Sequence, residues 1–236
     1  MIRVLIAAPL RQQPKIFREY QKGLDQLIIP EGVKVDRYFV VNDCPEVIPE
    51  IRDADWEENN TEDVMVYHDH IWPGELLDRM SELRNQCVKR TLEGGYDYML
   101  SVDTDLVLEP HTLQVLLEAQ KDIVAGLFWT NGWSNAWNYD QADGYDPEWE
   151  KPGLYEIGGS GALMLISRKV FEAGVDYTKI HNIRKCMKGE DRHFCIRAVC
   201  AGFGIWADSH CLPVHLYREP DYRKYMAGEV KTCFRK

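Results

Sequence analysis

Positive charge is scarce in this chain of 236 residues: 28 lysines and arginines face 38 aspartates and glutamates, a formal charge of −10. A surface of that sign does not coat a phosphate backbone, so nucleic acid is not an expected partner. A small phosphorylated ligand stays allowed, because a bound metal ion can neutralise its charge. Long apolar runs are also lacking. Stretches such as Val4-Leu5-Ile6-Ala7-Ala8 fall far short of the roughly 20 residues a membrane helix needs. No transmembrane segment is therefore expected. No signal-peptide pattern opens the chain, and its seven cysteines include no CxxC pair. Reduced thiols in a cytoplasmic protein are the expectation. No GxGxxG follows the first apolar run, and there is no GxSxG elbow or phosphate-cradling P-loop, which removes three common cofactor and nucleophile arrangements.

What the sequence does have is a regular alternation of strand and helix patterns. An apolar run of strand length, Arg3–Ala8, ends at Pro9 and reads as buried on both faces. Ile16, Phe17, Tyr20, Leu24, Leu27 and Ile28 then recur at helical spacing until Pro30 and Gly32. Val33–Val41, Val64–Tyr67 and Tyr98–Val102 read as further strands. Leu76, Met80, Leu83 and Cys87 form a helical stripe ended by Gly94-Gly95. A helix around 112–119 and a strand at 123–127 follow. This order predicts an α/β fold with a mostly parallel sheet flanked by helices. From Phe128 to Tyr155 the periodicity lapses in favour of Trp, Tyr, Asn, Asp and Gly, and a loop that long tends to be functional. Beyond it come a strand at 162–166, a helix from Glu190 and a short strand at 204–207. The expected organisation is one domain over 1–217 with two halves, 1–105 and 106–217. A tail, 218–236, carries Arg218, Arg223, Lys224, Lys231, Arg235 and Lys236 against Glu219, Asp221 and Glu229.

Four groups of residues could carry chemistry. Asp103-Thr104-Asp105 sits just past the Tyr98–Val102 strand, and ligands of open α/β sheets bind at the carboxyl ends of strands. Two carboxylates so close repel each other, and a hard divalent cation relieves that while keeping sites for phosphate oxygens. A helix cap or turn would use the same residues. Glu190-Asp191 opens a helix, where acids suit the dipole; a carboxylate there could also serve as general base toward a hydroxyl. His215, late in the chain, offers an imidazole for Mn²⁺ or a structural hydrogen bond. Trp129, Trp133, Trp137 and Trp149 crowd the aromatic loop, and aromatic faces beside polar groups suit sugar rings or a protein surface. Gly158-Gly159-Ser160-Gly161 lets backbone approach a ligand closely.

In this order the motifs resemble those of GT-A nucleotide-sugar glycosyltransferases, above all glycosyltransferase family 2, over roughly Ile2 to Tyr217. The resemblance rests on Ala7-Ala8-Pro9, Asn42-Asp43, Arg84-Asn85, Asp103-Thr104-Asp105, Gly158–Met164, Glu190-Asp191 and His215. It implies the GT-A fold. It also implies a transferase moving sugar from a nucleoside-diphosphate sugar to an acceptor hydroxyl with inversion. Asp105, Asp103 and His215 would hold Mn²⁺ or Mg²⁺; Pro9, Asp43, Arg84 and Asp103 would border the nucleotide. Asp191 would be the base and Glu190 would orient the acceptor, with Trp133, Gly159 and Ser160 on the acceptor side. The acceptor class (glycan, lipid-linked or protein) does not follow, and the basic tail leaves room for peripheral membrane contact. Departures from the family pattern lie at Val41–Pro45, where a second aspartate and Gly-Ser are commoner, and at Arg192-His193. Three other readings remain: a retaining transferase on the same fold, a nucleotidyltransferase acting on a sugar phosphate, and a non-catalytic carbohydrate-binding module.

Overall fold

The computed structural model describes residues 1–61, 74–130, 132–138, 152–183 and 189–230. The first half alternates as expected: β1 (Ile2–Leu10), α1 (Pro14–Asp25), β2 (Val33–Val41), β3 (Asp55–Glu58), α2 (Gly74–Glu93) and β4 (Tyr98–Val102). Then come β5 (Leu106–Val107), α3 (Thr112–Glu118) and β6 (Ile123–Gly126). Short strands occupy the aromatic stretch: β7 (Trp129–Thr130), β8 (Trp133–Ser134), β9 (Ala136–Trp137) and β10 (Leu154–Ile157). The chain continues through β11 (Gly159–Ser160), β12 (Leu163–Ser167), α4 (Arg168–Glu172), α5 (Glu190–Cys200), β13 (Ile205–Asp208), β14 (Val214–His215) and α6 (Glu219–Met226).

Eight strands form one sheet in the order β10-β13-β6-β12-β4-β1-β2-β3. Only β10 and β12 run against the rest, so the mostly parallel expectation holds. Along β1 the side chains alternate between two cores. Leu5 and Ala7 pack with Leu83, Cys87 and Val88 of α2, whereas Val4, Ile6, Ala8 and Leu10 pack with Phe17, Tyr20 and Leu24 of α1. Both faces are therefore covered, which is why the run is apolar without alternation. Pro14 starts α1 at its first turn, where no amide hydrogen is missed. The left-handed Gly95 (φ 68°) ends α2.

Two elements, an edge strand and a helix in the tail, differ from the sequence reading, and a third expectation is not described. The edge strand beside β2 is β3 at Asp55–Glu58, every residue of which is exposed; a charged edge strand has no apolar alternation to reveal it. The expected strand Val64–Tyr67 lies outside the described residues. The tail contains α6, tied to α1 by a Lys15–Glu219 ion pair and by Lys15 over the Tyr222 ring. No described helix is long and apolar enough to cross a membrane. Among the described cysteines, Cys44, Cys87, Cys195 and Cys211 are buried free thiols and Cys200 is exposed.

Candidate active site

The antiparallel insertion of β12 between β4 and β6 builds the site. β12 begins where β4 ends, so the turn before it meets the turn after β4: the Asp103 amide donates to the Ala162 carbonyl (2.7 Å). Gly161 then lies directly under the start of α5. A Cβ built on Gly161 would stand 2.1 Å from Oδ2 of Asp191. Only glycine lets that carboxylate sit so close to the turn.

Arg84 joins the two acidic motifs from below. It is 3% exposed, and its guanidinium reaches Asp103 Oδ1 (Nη2, 2.9 Å), Ser101 Oγ (Nη1, 3.3 Å) and Glu190 Oε1 (Nε, 3.3 Å). Asp191 Oδ1 is 3.6 Å from Nε. Three carboxylates thus share one buried cation. Burial, reinforced by Glu190 and Asp103 against the pull of Arg84, pushes the Asp191 carboxyl well above the usual carboxylate range. Burial likewise raises Asp103, with Arg84 opposing and Asp105 adding to the rise. The cluster holds Arg84 charged more firmly still. Asp191 keeps 25% of its side chain open, enough for a substrate hydroxyl to reach it, whereas Glu190 is 7% exposed and faces Arg84.

Asp105 meets His215 through a two-stranded sheet of two-residue strands. β5 pairs antiparallel with β14, setting His215 opposite Leu106, and the Leu216 amide donates to the Asp105 carbonyl (2.8 Å). His215 Nε2 comes to 3.3 Å from Asp105 Oδ2. Its Nδ1 is 2.8 Å from Thr130 Oγ1, and its ring lies edge-on to Phe128 at 4.8 Å. The other oxygen of Asp105, Oδ1, is buried with no hydrogen-bond partner. An unmatched buried carboxylate oxygen beside an imidazole is the chemistry a divalent cation satisfies. Among the described residues no three His, Cys, Asp or Glu side chains converge on one point. The protein thus offers an ion two side chains, and hard cations shared with phosphates are commonly held that way.

Beside these acids opens a cleft of about 360 Å³, lined by Pro9, Arg11, Gln12 and Asn42, by Leu76, Met80 and Leu83 of α2, and by Asp103, Thr104 and Asp105. Sequence reasoning singled out Pro9 and the acids; it missed Gln12, which carried no signal, and Leu76 and Met80, whose only signal was the α2 stripe. Asp43, implied as a nucleotide contact, is not among the residues that line the cleft. Both its oxygens accept from Thr61 (2.7 Å from N, 2.8 Å from Oγ1), and burial notwithstanding these bonds hold its carboxyl low; the neighbouring Asn42 faces the cleft. Arg84 lies behind the lining. Ser160 is fully buried and exchanges hydrogen bonds with Asn135 (3.0 and 3.1 Å), so it fastens the turn and offers no surface to an acceptor. Gly159 is buried too, pressed against Trp137, whose ring a Cβ there would meet at 2.5 Å. Trp133, by contrast, is 59% exposed on β8. Trp149, Tyr139 and Tyr145 lie outside the described residues.

No family model matches the chain. Solved structures do. A mannosyltransferase from Pyrobaculum calidifontis in complex with GDP-Man and Mn²⁺ superposes with a TM-score of 0.59 at 10% identity, covering 94% of this chain and 59% of that one. TarS 1-349 of S. aureus in complex with UDP-GlcNAc gives 0.56 at 15% identity, over 90% of this chain and 58% of that one. A UDP-glucose pyrophosphorylase complexed with UDP-glucose gives 0.56 at 9% identity, over 97% of this chain and all of the other. The fold is GT-A. The chain spans under two thirds of the two transferases' lengths.

Among curated proteins the likeness is local. Procollagen-lysine,2-oxoglutarate 5-dioxygenase 1 of Bos taurus is 46% identical over 54 residues, which are 22% of this chain and 7% of that protein. The human procollagen-lysine,2-oxoglutarate 5-dioxygenase 2 is 46% identical over 52 residues, again 7% of its length.

Proposed function

We propose that the chain is a metal-dependent glycosyltransferase that moves a sugar from a UDP- or GDP-linked donor to an acceptor hydroxyl with inversion. The observation that carries this reading is the pairing of Asp105 with His215 at 3.3 Å, beside a carboxylate oxygen left without a partner, at the mouth of the cleft. GT-A structures with GDP-Man and Mn²⁺ and with UDP-GlcNAc support it. Asp105 and His215 would hold Mn²⁺ or Mg²⁺, and Asp103, bound to Arg84 through Oδ1, would border that shell without ligating the ion directly. When bound, the ion would stabilise negative charge growing on the departing nucleoside diphosphate.

The chain's own residues do the rest. Pro9 and Asn42 border the space for the nucleoside, and Asp43 holds that edge through Thr61. Asp191, a quarter exposed at the start of α5, accepts the proton of the attacking hydroxyl, a contribution on the order of 10²–10⁴ in rate. Its raised proton affinity suits that task, since a base near neutrality combines ionisation with proton affinity. Arg84 fixes Asp191, Glu190 and Asp103 in one arrangement, which sets the distance between base and donor. Glu190 orients the acceptor through that helix start, and Trp133 offers an exposed face for a sugar ring of a glycan, lipid-linked or protein acceptor. Residues 1–217 would form the catalytic domain, with α6 in the tail packed on α1. Buried free thiols suit a cytoplasmic setting.

Incubation with nucleotide sugars and Mn²⁺ tests the reading: release of nucleoside diphosphate supports it. A nucleotidyltransferase is the second reading, favoured by Arg11 and Gln12 in the cleft lining and by the pyrophosphorylase likeness. It would release pyrophosphate from a nucleoside triphosphate and a sugar phosphate instead. Product of unchanged anomeric configuration would replace inversion by retention, and donor binding without either product would leave a binding module.

A further inference from the structure

The helix α2 has a second working flank. Leu76, Met80 and Leu83 face the cleft, but the residues half a turn around the helix line two adjoining hollows. The smaller, about 140 Å³, lies among Leu77, Asp78, Ser81, Lys179, Ile180 and His193. The broader, about 540 Å³, continues past Glu82, Asn85, Gln86 and Lys89 toward Thr178. Asp78, Ser81 and Lys179 belong to both, so the two make one groove. From Leu77 to Gln86 it follows roughly 13 Å of helix.

Its charges cancel locally. Asp78 pairs with Lys179 (2.8 Å), Glu82 with Arg79 (2.9 Å) and Lys89 with Glu93 (3.9 Å). Two residues that line the groove, His193 and Gln86, each carry a buried polar atom without a partner. His193 is 4% exposed, and its Nδ1 accepts the Ile180 amide hydrogen at 3.4 Å, which puts the ring proton on Nε2. That Nε2–H has no acceptor. Burial, and then the charge of Arg197, keep the ring neutral. Gln86 Oε1 is a buried acceptor with no donor. A buried polar atom left unmatched costs about 1–3 kcal/mol, so a ligand that supplies both partners gains on entering. Hydroxyl groups do so, because each donates and accepts. A phosphate or carboxylate can take the His193 hydrogen but has none for Gln86, and the paired charges of the rim give it no net attraction.

His193 stands on α5 three residues after Glu190, on the same side of that helix, so the groove runs along the helix whose first turn carries the base. We infer that this groove binds a neutral saccharide portion of the acceptor, held by His193 Nε2–H and Gln86 Oε1. The inference deepens the glycosyltransferase reading and rests on it.

Saturation-transfer NMR on the full chain tests it, with lactose, maltose, cellobiose and chitobiose as neutral probes and a sulfated heparin disaccharide as the anionic one. At least one neutral probe is expected to bind, and His193→Phe and Gln86→Leu each to weaken that binding roughly three- to tenfold. His193→Gln, which restores a side-chain N–H, should recover part of it. Unchanged thermal shifts with UDP or GDP plus Mn²⁺ in these variants certify that fold and donor site are intact; Gln86→Leu, at a half-buried position, keeps the test alive if a His193 variant unfolds. Binding undiminished in both variants, binding of the anionic probe alone, or no neutral binding overturns the inference. Loss of nucleotide binding by the wild-type protein would instead overturn the parent reading, so the two failures are distinguishable.

Discussion

Thr130 Oγ1 lies 2.8 Å from Nδ1 of His215, and the ring's opposite nitrogen faces Asp105. If Nε2 is to offer a lone pair to a cation, the ring proton must sit on Nδ1, where Thr130 can accept it. Thr130 is therefore a positioning residue that selects the tautomer. It also sits on the β7–β8 pair that carries the exposed Trp133, coupling that pair to His215 and Asp105. Thr130→Val keeps the shape and removes the acceptor. Mn²⁺ affinity, read by calorimetry in the presence of UDP or GDP, should fall roughly 10–100-fold; an unaltered affinity would discard this role.

Asp191→Asn should separate stability from function. The folded carboxyl has a raised proton affinity, so the folded chain holds more protons than the unfolded one above the ordinary carboxylate range. Its contribution to stability is complete below the unfolded pKa and is lost as pH rises through the folded one. Asparagine does not ionise and escapes that loss. The variant should melt higher than wild type at neutral pH and above, by roughly 2–4 °C for each kcal/mol relieved. Its transfer rate should drop about 10²–10⁴-fold. In the wild type the acidic limb of kcat/KM should lie above the ordinary carboxylate range, and a limb near pH 4 would count against Asp191 as base.

Gly161→Ala forces the Asp191 carboxylate away, since the new Cβ would stand 2.1 Å from Oδ2. The neighbour that must yield is the end of a side chain, so the backbone can stay. Melting temperature should change little while transfer falls at least tenfold and nucleotide binding persists. Equal loss of all three would mean that the turn itself had collapsed.

Arg84→Met leaves Asp103, Glu190 and Asp191 without their shared cation. Removing one partner of a buried ionic group typically costs about 3–5 kcal/mol. Denaturant melts should show a loss of that size at pH 8 and a smaller one at pH 5, where the carboxyls take up protons. A loss independent of pH would place the role of Arg84 in packing alone.

Much of the fold was legible because its signals are local. The bounds of β2 match the apolar run Val33–Val41, and the acids Asp103 and Asp105 follow β4 where a strand-end rule puts a ligand site. What escaped depends on distant pairings. Strands of two residues such as β5 and β14 carry no periodicity, yet they bring Asp105 to His215. Arg84 was expected at the border of the nucleotide; its place between Asp103, Glu190 and Asp191 depends on β4 and α5 arriving from either side. Asp43 and Ser160 are the converse, polar residues whose side chains are taken up by Thr61 and Asn135. The groove behind α2 was invisible for the same reason, since His193 acquires its meaning from Ile180 and Gln86.

The most direct test of the ion site is a thermal-shift titration of Mn²⁺ with and without UDP or GDP, on wild type, Asp105→Asn and His215→Ala. A cation shared between protein and diphosphate binds the folded state and raises its melting temperature with concentration. The wild type should show a large shift only when nucleotide and Mn²⁺ are both present, and each variant should lose most of it. An equal shift in all three proteins would contradict the account.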